Sequence, residues 1–112
     1  MTFLYIYAGI VRSVYDGDTI TVDIDLGFNV WLRAEKVRLA RINSPEIRGV
    51  EKESGEKARD WLRQAIGGEK VVIKTHKDQK GKYGRWIADV IHNGSCINDV
   101  LVAKGLAKYQ SY

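Results

Sequence analysis

From Thr19 to Leu26 the chain alternates strictly. Ile20, Val22, Ile24 and Leu26 fall on one face, and Thr19, Thr21, Asp23 and Asp25 on the other. A period of two means a half-buried strand, which needs a sheet around it and a core beneath it. The flanking sequence supplies the sheet. Tyr5 and Tyr7 alternate with Leu4 and Ile6 in a first strand over 3–14, and Asp16-Gly17-Asp18 turns the chain. Gly27 and Asn29 mark a second turn. A long third strand over 30–42, bent or bulged, is ended by Pro45, which cannot donate to a ladder. The period then changes. Ala58, Trp61, Leu62, Ala65 and Ile66 form one apolar helical face, after an N-cap at Ser54 and before a stop at Gly67-Gly68. Val71 to Thr75 reads as a fourth strand, 77–84 as a loop, and Trp86 to Ile91 as a fifth strand before the Asn93-Gly94 turn. Ile97 to Lys104 reads as a short helix stopped by Gly105.

Three strands, a helix, two strands and a short helix predict a mainly β fold with two helices, a five-stranded OB-fold barrel. The element count excludes eight-stranded barrels and doubly wound sheets. The 112 residues form one domain, 1–112, large enough to hold a core without staples. Cys96 is the sole cysteine, so no intrachain disulfide is possible, and it reads as a small buried apolar thiol. His76 and His92 lie outside any zinc-ligand spacing and read as structural. Walker, dinucleotide-binding and Ser-His-Asp patterns are absent from the sequence. The apolar run from Phe3 to Val11 has no Lys or Arg before it and is far shorter than the roughly 20 residues a bilayer requires. The expectation is a monomer without membrane contact. A cytoplasmic location is favoured, and a processed secreted chain would read the same.

The net charge of +4 is unevenly placed. Residues 1–35 hold Arg12 and Arg33 against Asp16, Asp18, Asp23, Asp25 and Glu35, a net of −3. Residues 70–85 hold Lys70, Lys74, Lys77, Lys80, Lys82 and Arg85 against Asp78, a net of +5. The first stretch suits a cation and the second a polyanion, although a lysine-rich loop is also simply well solvated.

Four short motifs carry the chemistry. Asp16-Gly17-Asp18-Thr19 suits a tight turn, and it becomes a candidate cation site if a second set of oxygens joins it. Asn43-Ser44-Pro45-Glu46 offers that set: an amide oxygen, backbone oxygens held by the rigid Pro45, and a carboxylate able to take a proton from water. Arg38, and Arg85 within Lys82-Tyr83-Gly84-Arg85, would make a phosphate site if they converged. Either arginine alone reads better as a surface ion pair. Tyr83, Tyr109, Tyr112 and Trp86 offer faces for base stacking, with Trp86 better suited to the core.

In this order the motifs resemble the staphylococcal (micrococcal) nuclease family. The matching stretches are residues 16–19, 37–46, 49–52, 82–85 and 105–108, spread over nearly the whole chain. The resemblance implies an OB-fold enzyme that uses calcium to hydrolyse DNA and RNA, with single strands preferred, leaving 3′-phosphate ends. It implies Asp18 and Asn43 as metal ligands, with Ser44 contributing its carbonyl, and Asp16 behind them. It implies Glu46 as the residue that activates water, Arg38 and Arg85 as phosphate-binding arginines, and Tyr83 and Lys82 at the nucleotide. The chain departs from the family pattern in three ways. Asn43 replaces an aspartate, which opens the metal to other divalent ions. The loop after Glu46 is shorter, and the third helix and its neighbouring tyrosines have no match in register. The alternative is a weak or inactive OB-fold module that binds nucleic acid without cleaving it.

Overall fold

A computed structural model describes residues 4–110. Its barrel is built from β1 (Ile6–Asp16), β2 (Thr19–Gly27), β3 (Val30–Leu39), β5 (Lys70–Lys80) and β6 (Trp86–His92). These pair in the order β3-β2-β1-β5-β6, and β3 closes the circle by pairing in parallel with β6. The alternation at Thr19–Leu26 turns Ile20, Val22 and Ile24 into the barrel, where Val11, Val37, Leu39, Ile73 and Val90 meet them with almost no exposure. The five-stranded barrel with two helices is therefore the observed architecture.

Helix α1 (Lys52–Ile66) covers one side of the barrel with Ala58, Leu62 and Ile66, all fully buried. Trp61 and Ala65 pack partly at the rim of that face. The helix begins earlier than its sequence predicts. A 3-10 turn over Gly49–Glu51 leads straight into Lys52, with no side-chain cap, so Ser54 lies inside the helix and caps nothing. Helix α2 (Ile97–Ala103) packs against β6 and buries Ile97 and Leu101. Buried Asn98 is its polar anchor: the amide receives the Val90 N–H at 3.0 Å and donates to the carbonyls of Ala40 (3.0 Å) and Ala88 (3.1 Å). Removing it would strand the Val90 N–H and the Ala40 carbonyl, at about 1–3 kcal/mol each, while the Ala88 carbonyl keeps the Ala40 N–H at 2.8 Å.

Three corrections matter for the site. The third strand does not run to residue 42. It ends at Leu39, the chain turns through Arg41 at φ +67°, and Ile42–Asn43 forms a separate short strand, β4. β4 pairs with β8 (Lys108–Tyr109), so Asn43 lies opposite Lys108. Second, 77–80 is not loop but the end of β5, bulged where Lys77 and Asp78 take positive φ. Third, β7 (Ser95–Cys96), like β4 and β8, is too short to leave a period in the sequence.

Candidate functional site

The topology gathers the motifs. Thr19 at the start of β2 lies opposite Arg38 near the end of β3, and Arg38 lies beside Ile87 of β6 across the closing pair. Arg85 immediately precedes β6, so Asp18, Arg38 and Arg85 meet at one end of the barrel. The barrel-closing ladder thereby also builds the site.

Asp18 is its centre and is buried, 6% exposed. One carboxylate oxygen accepts the Ser44 N–H at 2.9 Å and lies 3.3 Å from Arg38 Nη2. The other accepts the Thr19 hydroxyl at 3.2 Å. Thr19 Oγ1 in turn accepts from Arg85 Nη1 at 3.1 Å, so Thr19 bridges the aspartate to the second arginine. Arg38 also donates to the Leu39 carbonyl at 2.7 Å and to Asn43 Oδ1 at 3.4 Å. Asp18 and Asn43 thus share one guanidinium nitrogen, and Ser44 joins through its N–H.

Gly17 and Gly55 let these segments close. A Cβ on Gly17 would lie 2.7 Å from both the Ser44 and Ala58 Cβ atoms. A Cβ on Gly55 would lie 2.1 Å from the Glu46 carbonyl oxygen. In a tight turn a glycine is often present because it tolerates positive φ. Instead Gly17 is required for close packing, and its φ is not among the positive ones. Gly55 seats α1 against the loop that presents Glu46. Glu46 is exposed, and among the described residues its carboxylate accepts no hydrogen bond.

Asp16 stands behind Asp18 and accepts its N–H at 3.1 Å. Burial first, then the hydrogen bond and charge of Asp18, raise its carboxyl to about 6. Asp18 and Asn43 each bring a side-chain oxygen to this point, and Ser44 braces Asp18 through its N–H. Ser44 Oγ is a buried polar atom without a partner among the described residues. Among the described residues no three His, Cys, Asp or Glu side chains cluster as a metal cage. Such a set fits a hard oxygen-seeking cation that keeps part of its water, and does not fit zinc.

The acidic N-terminal third divides in two. Asp23 is buried against Arg12, Arg33 and the Ala34 N–H, and the last of these is the main cause of its lowered pKa. Asp25 accepts the Gly27 N–H. Both stabilise the β2–β3 hairpin, leaving Asp16 and Asp18 at the site. Arg85 and the exposed Tyr83 line a cavity of about 490 Å³ together with Arg38, Lys82 and Ile87. The Arg85 guanidinium lies 5.2 Å from the Tyr83 ring centre, and Lys82 Nζ lies 5.4 Å from it. Tyr109 is not beside them: its hydroxyl donates to Asp99 at 2.8 Å. Tyr112 lies outside the described residues.

Sequence reasoning missed Thr19 as the bridge, although it ends the first motif. It also missed a clamp on the strand that holds Asn43. Arg41 donates to Asp89 (2.8 Å) and Asp99 (3.0 Å), and Gln110 N–H reaches the Arg41 carbonyl at 2.8 Å. Those partners are far away in sequence and leave no local signal.

A family model described as staphylococcal nuclease homologue matches residues 36–112. The chain belongs to the staphylococcal nuclease family. It is 33% identical to endonuclease YhcR of Bacillus subtilis over 90% of its own length and 9% of that protein. It is 30% identical to the thermonuclease of Staphylococcus hyicus (91% of this chain, 59% of that protein) and 29% to that of Staphylococcus intermedius (92% and 60%). The chain thus spans about three fifths of the two thermonucleases and less than a tenth of YhcR.

Proposed function

We propose that the domain is a calcium-dependent nuclease acting on DNA and RNA, with single strands preferred and 3′-phosphate ends left behind. The observation that carries this reading is the convergence of Arg38 and Arg85 on either side of the Asp18–Thr19 pair. Two guanidiniums so placed embrace one phosphodiester and offset charge building on its equatorial oxygens. Asp18, Asn43 and the Ser44 carbonyl would hold the cation. When bound, it supplies Lewis-acid polarisation and a lowered pKa for its water. Glu46, exposed and without a hydrogen bond to its carboxylate among the described residues, orients and deprotonates the attacking water. Asp16 backs Asp18, and Tyr83 and Lys82 contact the nucleotide. Asn43 supplies an oxygen without charge, so the site takes other divalent ions alongside calcium. The thermonuclease and endonuclease names of the relatives support the reaction class.

The test is cleavage of single-stranded DNA and RNA in calcium, in magnesium and in chelator. The expected result is cleavage that chelator abolishes and that Glu46→Ala lowers by about 10²-fold or more at an unchanged melting temperature. Salt-dependent binding without cleavage under any divalent ion would replace the nuclease by a binding module.

A further inference from the structure

A second cavity, of about 650 Å³, opens on the other side of Arg85 and Tyr83. These two residues line both cavities, so the two are neighbours across them. We propose that this second cavity is a subsite for the next nucleotide of a single strand, with Lys36 and Arg63 as phosphate contacts and Tyr15 as the base platform. The proposal rests on the nuclease reading for its substrate, and on its own geometry for the subsite.

The sheet register places it. Ser13, Thr21 and Lys36 are cross-strand partners on the outer face of β1, β2 and β3. Thr19 and Arg38, the phosphate row of the first site, are the pair two residues along the same strands. A strand rises about 3.3 Å per residue, so the rows lie roughly 7 Å apart. This suits adjacent phosphates of an extended strand. Arg63 enters from α1. Its Nε and Nη2 donate to the Val14 carbonyl at 3.2 and 3.1 Å, which fixes the guanidinium at the rim. Its side chain is still half exposed, and its nearest carboxylate, Asp60, is 3.9 Å from Nη1. Among the described residues no Asp or Glu lines the cavity, so its cations are not cancelled from within. Tyr15 is 55% exposed and Tyr83 71%. Exposed rings suit unpaired bases, whose faces a duplex hides. Hydroxyls from Ser13 and Thr21 add neutral donors for phosphate or sugar oxygens.

The experiment is fluorescence anisotropy in chelator with a labelled single strand of about eight nucleotides and with a labelled dinucleotide, over a range of salt. Lys36→Gln and Arg63→Gln are compared with Lys57→Gln, an exposed control on α1. Each test variant is expected to reduce the wild-type preference for the longer strand by roughly tenfold. Each should also lower the salt slope by about 0.7, one phosphate contact, while Lys57→Gln changes neither. Because Arg63 also ties α1 to β1, Lys36→Gln decides the matter if Arg63→Gln melts early. If Lys36→Gln matches Lys57→Gln, the subsite is overturned, whether or not the wild type cleaves. If Lys36→Gln shows the loss while the wild type cleaves nothing, the subsite stands and the nuclease reading falls. If the wild type binds neither probe, both fall.

Discussion

Arg41 and Arg85 are both partly buried, both near an end of a barrel strand, and held in opposite ways. Arg41 is gripped by Asp89 and Asp99, and those hydrogen bonds drive its pKa upward. Arg85 has no carboxylate within ion-pair distance among the described residues, and rests on the Thr19 hydroxyl and the Tyr83 ring. The first charge is offset by its own protein and fastens β4 to α2 and β6. The second keeps its charge for something outside the fold. Arg38 falls between them, shared by Asp18, Asn43 and a carbonyl while lining a cavity. The partners an arginine is given therefore separate a fastening from a binding group more sharply than exposure does.

Three variants sharpen that comparison. Arg38→Gln should lower turnover by about 10²–10³-fold, because a transition-state donor is lost. It should also cost about 1–2 kcal/mol of stability, since buried Asp18 loses its cation, and denaturant melts read this part separately. Arg41→Gln should do the reverse. Asp89 and Asp99 lose charged hydrogen bonds worth about 2 kcal/mol together, allowing for their partial exposure, and the melting temperature drops by roughly 10 °C. Cleavage by the folded fraction should stay within a few-fold of wild type. The smallest effect is a pH dependence. Hydrogen bonds from Arg41, then Tyr109, hold the Asp99 carboxyl down at about 2, against its ordinary 3.8. Its contribution is complete above the unfolded value and is lost as pH falls from about 4 through 2. Melting curves of Asp99→Asn across that window should show a flatter acid limb than wild type.

The barrel was legible because strict alternation at Thr19–Leu26 and the single helical face from Ala58 to Ile66 leave few architectures to choose from. The convergence of Asp18, Arg38 and Arg85 was legible only through motif order, since each residue alone suits an ordinary turn or ion pair. Other features were hidden for physical reasons. β4 and β8 have two residues each, below one period. The polar run at 77–80 has loop-like composition, yet it continues β5 through a bulge. Ser54 is the right residue type for a cap, but the preceding 3-10 turn already starts the helix. Gly17 and Gly55 are conspicuous in sequence, whereas what they approach comes from distant segments.

The most direct test is the turnover of Arg85→Gln on single-stranded DNA in calcium, measured beside its melting temperature. With its charge held for the phosphate, kcat should fall about 10²–10³-fold while the melting temperature stays within about 2 °C of wild type. A kcat within threefold of wild type at that same melting temperature would contradict the account, because Arg85 would then be a bystander at the site.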